Sequence, residues 1–419
     1  MTKQLIKINK IDAVSLGIDK KLISINALKV LQRLTKSGYQ AFLVGGCIRD
    51  LLLDIRPKDF DVATDAEPEE IKSLFRNCRL IGRRFRLAHI RFGRELIEVA
   101  TYRSSAESDN ERSKHDNKGR ILRDNVYGSI EEDVFRRDFK CNALYYDSDK
   151  DKVWDFVNGL NDIEACQLNF IGDPVKRIQE DPVRMLRAVR FKAKLNFKID
   201  SELSNKIKMN AHLLNGIPAA RIFDEFIKLF QSGYAEKTFD SLLTFNLFKE
   251  LFPETDKQIK TDVNLKYFIE NALKNTDTRI KNRQSITPMF LLGVFLWGPI
   301  SKKANKIRQK SKSSKAQSLI LASYDVIGTH QDRLAIPKRF SSIMREMFVA
   351  QAKFEVTTEA QAKKMSDSRI FRAAYDFLLL RSTTNDCPKE VIDFWTKVEQ
   401  KTNNTSLRFK KNKKYRSKR

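Results

Sequence analysis

Acid is what this sequence is short of: 53 Asp and Glu stand against 79 Lys and Arg in 419 residues, a formal net charge of +26. Such an excess calls for a polyanionic partner, and nucleic acid is the first expectation. Cysteine is scarce as well. The five thiols (Cys47, Cys78, Cys141, Cys166, Cys387) are scattered with no Cys-x-x-Cys spacing. Neither a disulfide framework nor a zinc site is expected, and reduced core thiols in a cytoplasmic protein are. Long apolar runs are missing: the longest, Met289–Trp297, falls far short of the roughly 20 residues that span a bilayer. The opening MTKQLIKINK shows neither the apolar core nor the cleavage pattern of a secretory signal. What is present suits a globular chain of about two to four domains. Hydrophobic residues make up 41%, and the 28 Phe supply enough burial to exclude wholesale disorder.

The pattern divides near residue 165. Residues 1–25 read as a loosely attached arm. A helical stretch follows from Asn26 to Ser37, with Gly38 where a helix stop belongs. Short apolar runs at Ala41–Val44, Phe60–Ala63, Leu87–Phe92, Leu96–Tyr102, Ala143–Tyr146 and Val153–Val157 alternate with polar breaks and a helix over Pro68–Arg76. This mixture predicts an α+β domain over 26–165 with a small mixed or antiparallel sheet. The polar stretch Ser104–Arg120 reads as a long loop, a feature that compact domains keep for function. From Asp181 onward the period is 3.6, which predicts a helical neck over 166–235 and a helical body over 236–400. Two basic tracts contain no acid: Lys302–Lys315 with seven Lys/Arg, and the terminus Lys401–Arg419 with nine. The second, interleaved with Phe409 and Tyr415, is expected to be a disordered arm that binds nucleic-acid backbone without sequence preference.

Chemistry concentrates in a few segments. In FLVGGCIRD a strand runs through Gly45 and Gly46 into a helix. Such a junction lets backbone N–H groups approach a phosphate, and Arg49 in the first turn could add a bidentate contact. Asp59-Phe60-Asp61 follows. On a strand its two carboxylates share a face while Phe60 points inward. Side-by-side acids repel unless a cation sits between them, and their oxygen ligands suit Mg²⁺. Glu98 interrupts the apolar strand LIEVATYR, where a metal shared with Asp59 and Asp61, or a salt bridge to an arginine, would give it a partner. In EEDVFRRD, Arg136 and Arg137 suit triphosphate clamping, with Asp138 orienting the site. In EDPVRMLRAVRF, Asp181 precedes Pro182 as a helix cap would, and Arg184, Arg187 and Arg190 recur every three residues over a buried side of Met185, Leu186 and Val189. A carboxylate accepting from an exocyclic amine beside a guanidinium donating to a ring nitrogen fits adenine and cytosine alike. The Asp181–Arg184 pair therefore leaves ATP and CTP unseparated.

Strand–Gly-Gly–Arg, DFD, RRD and EDPVRMLRAVRF, in that order, resemble the class II nucleotidyltransferase superfamily, which contains the CCA-adding tRNA nucleotidyltransferases and the bacterial poly(A) polymerases. GRRFRLAHIRF (Gly82–Phe92), LRDNVYGSIEEDVFRRD (Leu122–Asp138), IPAARIF (Ile217–Phe223) and FRAAYDFLLLR (Phe371–Arg381) resemble the poly(A) polymerase branch in particular. The likeness spans roughly 35–400. It implies a nucleotidyltransferase head over 26–165, a neck that binds nucleotide and RNA, and RNA contacts in the body. Asp59, Asp61, Glu98 and Asp138 then correspond to the catalytic acids, the first three as metal ligands. Gly45, Gly46, Arg49, Arg137, Asp181, Arg184, Arg187 and Arg190 correspond to the nucleotide contacts. Cys47 departs from the small residue usual after the glycine pair.

The implied activity is template-independent addition of AMP from ATP to RNA 3′-hydroxyls. Two Mg²⁺ ions, or Mn²⁺ in their place, would activate the hydroxyl and neutralise the departing pyrophosphate. CCA or A addition to tRNA is the alternative. The implied partners are single-stranded RNA 3′ ends and ATP, with RNA-decay or RNA-chaperone proteins as candidates and DNA not expected.

Overall fold

The computed structural model describes residues 8–82, 86–104 and 127–416, with side chains as far as Thr402. Most of the Ser104–Arg120 stretch, residues 83–85 of GRRFRLAHIRF and the start of LRDNVYGSIEEDVFRRD lie outside the described residues. Two compact units divide the chain: Met1–Arg184 with Leu195–Lys206, and Met185–Lys194 with Ile207–Arg419.

The first unit is the α+β head. In chain order it holds β1 (Asn9–Asp12), α1 (Ile25–Lys36), β2 (Ala41–Val44), α2 (Gly46–Leu52), β3 (Asp61–Thr64), α3 (Pro68–Leu74), β4 (Cys78–Ile81), β5 (Leu87–Phe92) and β6 (Glu95–Thr101). Then come α4 (Ile130–Arg136), β7 (Leu144–Asp147), β8 (Lys152–Asp155), α5 (Gly159–Glu164) and α6 (Pro174–Glu180). The strands form one mixed sheet of eight in the order β1-β8-β7-β2-β3-β6-β5-β4. Every pairing is antiparallel except β3 with β6.

Local chemistry explains the elements around the centre. The Ser24 side chain caps α1 by accepting from the N–H groups of Asn26 and Ala27. The helix buries Ala27, Val30, Leu31 and Leu34, and Gly38 follows at φ +91°, as a left-handed stop requires. Phe42, Val44, Ala63, Tyr102, Val134, Tyr145 and Phe156 form the core on one side of the sheet.

Two strands escape the sequence pattern. Four residues of the expected arm, Asn9–Asp12, pair with β8 as an edge strand, and Lys10 Nζ sits 3.6 Å from the Trp154 ring centroid. Their side chains are mostly exposed, so backbone pairing rather than apolar alternation defines the strand. β4 is likewise half exposed along its length.

The second unit is helical. It starts within α7 (Val183–Leu195) and α8 (Ser201–Asn210), and continues through α9 (Ala219–Phe230), α10 (Ala235–Thr244), α11 (Phe248–Leu251), α12 (Pro253–Ile259) and α13 (Val263–Lys281). It ends with α14 (Pro288–Ser311), α15 (Lys315–Thr329), α16 (Lys338–Phe354), α17 (Glu359–Ser366), α18 (Phe371–Ser382) and α19 (Lys389–Arg416). Its centre is aromatic: Phe295 meets Phe226, Phe230, Phe239, Phe248 and Phe252 at centroid separations of 4.9–6.1 Å.

Helix α14 runs far beyond the apolar stretch ending at Trp297 and passes through Pro299. Proline lacks the N–H that would bond the carbonyl four residues back. That carbonyl, of Phe295, accepts instead from the buried Thr255 hydroxyl at 2.6 Å, which keeps it satisfied inside the core. The basic tract from Lys302 is therefore mostly helix. Likewise α19 carries helix into the basic terminus, where the sequence predicts an irregular arm. Among the described residues no helix is long and apolar enough to cross a membrane.

Candidate active site

The acids meet because of strand register. β2 delivers the chain to the Gly45–Gly46 turn, and antiparallel pairing sets Val44 opposite Asp61. Parallel pairing of β3 with β6 sets Asp61 opposite Glu98. Phe60 is buried while Asp59 and Asp61 are exposed, the alternation that the motif suggests, although β3 begins only at Asp61 and Asp59 stands in the segment before it. The protein around Asp61 desolvates its carboxylate, and Glu98 and Asp59 repel it; Arg137 opposes these effects, and together they raise its pKa to about 6. A carboxylate lifted in this way binds protons more readily in the folded state. It costs the metal-free head stability as pH rises from the ordinary aspartate range towards 6.

Glu98 has a second neighbour. Antiparallel β5–β6 pairing places His89 opposite it, and His89 Nε2 lies 3.2 Å from a Glu98 oxygen. Within the protein, then, the side chain that meets Glu98 is a histidine rather than an arginine. Among the described residues no three His, Cys, Asp or Glu side chains converge as a ready-made metal site. The donors still fit a hard divalent ion. Mg²⁺ ordinarily takes one or two carboxylates and completes its shell with water and substrate phosphate, and Asp59 and Asp61 supply that pair beside an unbalanced negative charge.

The arginines are held rather than loose. Arg137 Nε donates to the Tyr145 hydroxyl at 2.9 Å and Nη2 to Asp133 at 3.0 Å, while the Tyr145 hydroxyl donates to the same Asp133 oxygen at 2.6 Å. Burial alone would lower the arginine's pKa; Tyr145 and Asp133 outweigh it and raise it. The remaining Nη1 faces Gly45, where an added Cβ would stand 3.5 Å away. Gly45 has φ +79° and ψ −131°, a conformation that glycine adopts at little cost. Arg49 is only 2% exposed. Nε donates to Asp50 at 2.9 Å, and its terminal nitrogens reach Asp50 and Asn142. It braces the turn from beneath and is not laid open to a phosphate.

The segment EDPVRMLR is joined to RRD. Arg184 Nε donates to Asp138 at 2.8 Å, and Nη1 to the Arg177 carbonyl and to Glu180 at 2.6 and 2.8 Å. Arg177 in turn donates to the carbonyls of Arg136 and Arg137 at 2.9 and 2.8 Å. Asp138 is therefore an anchor for Arg184. Asp181 accepts from the Val183 N–H at 3.3 Å, so it caps α7, whose assigned start is Val183. Met185, Leu186 and Val189 are fully buried as expected. Arg187 and Arg190 are half-buried on the part of α7 that belongs to the second unit.

Sequence reasoning passes over Asp133, Asn142, Tyr145, Arg177 and His89. Asp133 carries a signal in its four-residue spacing to Arg137 on a helix end. Tyr145 and His89 carry none, since their roles depend on strand register.

Comparison with known proteins gives three family matches along the chain: the Poly A polymerase head domain over residues 41–169, the probable RNA and SrmB-binding site of polymerase A over 196–259, and the polymerase A arginine-rich C-terminus over 311–419. The chain is 47% identical to poly(A) polymerase I of Escherichia coli O6:H1 over 371 residues, which is 87% of this chain and 80% of that protein. It is 43% identical to poly(A) polymerase I of Haemophilus influenzae, over 89% of this chain and 84% of that one. A CCA-adding enzyme of Lactobacillus helveticus is 36% identical over 55% of each chain. In fold, the chain is similar to a CCA-adding enzyme solved with CTP, at a TM-score of 0.65 and 19% identity over 95% of this chain and 87% of that one. A second likeness is to the Thermotoga maritima CCA-adding enzyme solved with tRNA, at a TM-score of 0.63 and 18% identity over 94% and 87%.

Cys47 lies at the centre of this site yet is buried, and its Sγ–H donates to the Val44 carbonyl at 3.3 Å. Burial, with Asp61 nearby, pushes its thiol up to about 12, so almost no thiolate exists at neutral pH. Iodoacetamide at pH 7.5 is expected to label exposed Cys166 well before Cys47, as peptide mapping by mass spectrometry will read. Labelling of Cys47 at a rate equal to that of Cys166 contradicts the assigned environment.

Proposed function

Since the chain belongs to the poly(A) polymerase family of nucleotidyltransferases, we propose that its head transfers AMP from ATP to the 3′-hydroxyl of single-stranded RNA at the Asp59–Asp61 face, without a template. The observation that carries the proposal is Asp61: its carboxylate is set against Glu98 by strand pairing, and desolvation together with that repulsion lifts it to about 6 against the opposing charge of Arg137. That is an arrangement waiting for a cation. The likeness at 47% identity over 87% of the chain favours poly(A) synthesis. The CCA-adding relative matches 55% of it, so tRNA repair is the second reading.

Asp59 and Asp61 would hold Mg²⁺, or Mn²⁺ in its place, in one- or two-ion form. When bound, the metal supplies a lowered pKa at the RNA 3′-hydroxyl and charge neutralisation on the triphosphate. The remaining work belongs to the chain. The Gly45–Gly46 turn leaves room for phosphate to approach the backbone. Arg137 Nη1 faces that turn and offsets charge on the α-phosphate side, while Tyr145 and Asp133 keep it from swinging away. Arg49 holds the turn's shape through Asp50 and Asn142. Glu98 raises the electrostatic demand at Asp61 for a cation.

Base choice falls to Asp181 and Arg184. The Asp138 and Glu180 contacts fix the plane of the Arg184 guanidinium before nucleotide arrives, which lets protein groups take the role of a template base. Arg187 and Arg190 continue the basic series along α7. RNA held by the helical unit supplies the acceptor, and RNA-decay or RNA-chaperone proteins are its natural associates. Cytoplasm is the matching compartment.

The reading is tested by incubating the protein with Mg²⁺, each of the four nucleoside triphosphates separately, and either generic single-stranded RNA or tRNA lacking its CCA end. Long ladders from ATP on generic RNA are expected. Addition restricted to a few residues, on tRNA and with CTP, would instead establish the tRNA reading. Asp59→Ala and Asp61→Ala are each expected to abolish incorporation while RNA binding stays near normal; near-normal turnover in either removes the metal assignment.

A separate prediction concerns the Arg137 clamp. Tyr145→Phe removes one hydroxyl and little volume, and kcat/KM for ATP is expected to fall about tenfold, the scale of one hydrogen bond to a charged group. The KM for RNA should not move. An unchanged ATP kcat/KM denies Tyr145 the positioning role.

A further inference from the structure

The helical unit carries an exposed aromatic–apolar stripe beside a row of lysines, and neither is used in the account above. On α15 the residues Gln317, Ile320, Leu321, Tyr324 and Gly328 share one face at helical spacing. Leu321 is 54% exposed and Tyr324 59%. The guanidinium of Arg345, from α16, lies 4.2 Å from the centroid of the Tyr324 ring. An exposed ring already covered on one face by a guanidinium resembles the surface on which a nucleobase stacks.

Helices α14 and α15 pair antiparallel. Lys303 Nζ meets Asp325, while nearer the connection Ser313 bonds Ser318 at 2.7 Å. Lys306 and Lys310 follow Lys303 at three- and seven-residue spacing, so they share its face and run alongside the stripe. At a rise of about 1.5 Å per residue the row from Lys303 to Lys310 extends about 10 Å, enough to meet successive phosphates of an extended strand. Asp325, the acid beside Tyr324, is neutralised by Lys303.

We propose that the Tyr324–Arg345 stack, with Leu321 beside it and Lys306 and Lys310 along it, is a landing platform for single-stranded RNA. Bases stack on the ring and the phosphates lie along α14. Charge decides the class of occupant: the tract Lys302–Lys315 holds seven Lys/Arg and no acid in a chain of net charge +26, which suits a polyanion better than a protein surface. The stretch matched to an RNA-binding family segment, residues 196–259, ends before α14 begins. The inference rests on the adenylyltransferase reading only for the identity of the strand, which is the body of the acceptor RNA.

The test is equilibrium binding of fluorescent single-stranded RNAs of about 6 and 25 nucleotides to the full chain, without ATP, across a salt series. Tyr324→Ala is expected to weaken binding of the long RNA about tenfold while leaving the slope of log affinity against log salt unchanged, because stacking releases no counterions. Tyr324→Phe keeps a ring and should retain most of the affinity. A Lys306→Gln/Lys310→Gln variant should lower the salt slope by about 1.4, the single-strand value for two lost phosphate contacts. AMP incorporation on saturating short primer should be unchanged in all three. Long-RNA affinity that is unaltered in Tyr324→Ala overturns the platform and leaves the stripe to a protein partner. A lowered melting temperature in Tyr324→Ala also overturns it, since a folding defect then explains the effect. Absence of incorporation by the unmodified chain would sink the enzymatic reading alone, because the binding arm needs no turnover.

Discussion

Asp61 and Glu98 are opposite one another because β3 and β6 are parallel and in register, and the chain cannot separate them without breaking the sheet. Desolvation of the Asp61 carboxylate, with Glu98 repelling it, costs the fold stability at neutral pH, and together they displace the Asp61 carboxyl to about 6. A protein selected for stability alone would carry an amide or an apolar residue there. Retaining acids on the exposed face of a central strand pair makes sense when a cation offsets them. The rest of the head is arranged around that demand: the glycine turn at Val44–Gly46 with Arg137 against it, and His89 next to Glu98.

The arginines show how a strongly basic chain keeps its working cations distinct from the surplus. Arg137 is held at Nε and Nη2, leaving Nη1 towards the turn. Arg184 and Arg177 tie the EDPVRMLR and RRD segments together through one carboxylate and three carbonyls. Arg49, which looks like a phosphate ligand in the sequence, is committed to Asp50 and Asn142. A pre-oriented guanidinium needs no reorganisation when charge develops near it, and this is where electrostatic stabilisation is most effective.

Much of the head was legible beforehand. Ala41–Val44 and Leu87–Phe92 are strands with the bounds that their apolar content suggests, and Asp59-Phe60-Asp61 alternates exposed, buried, exposed. The order of motifs identifies the nucleotidyltransferase family, and relatives at 43–47% identity bear out the poly(A) polymerase branch. Partners set by register stayed hidden. That His89 rather than an arginine meets Glu98, or that Tyr145 steadies Arg137, follows from pairings between strands distant in sequence. The length of helix α14 is hidden for a different reason: Pro299 normally ends a helix, and the Thr255 hydroxyl, distant in sequence, takes up the carbonyl it leaves unpaired.

The central claim is that the Asp59–Asp61 face binds a divalent cation that relieves a built-in repulsion. Thermal unfolding of the unmodified chain and of Asp61→Asn, with and without millimolar Mg²⁺ at pH 7.5, tests it most directly. The metal-free variant should melt above the metal-free parent, because it loses the repelled carboxylate. Mg²⁺ should raise the parent's melting temperature and leave the variant's unchanged, and the parent's gain should fade below pH 6 as the proton competes. A parent less affected by Mg²⁺ than the variant, or a variant that is the less stable without metal, would contradict the account.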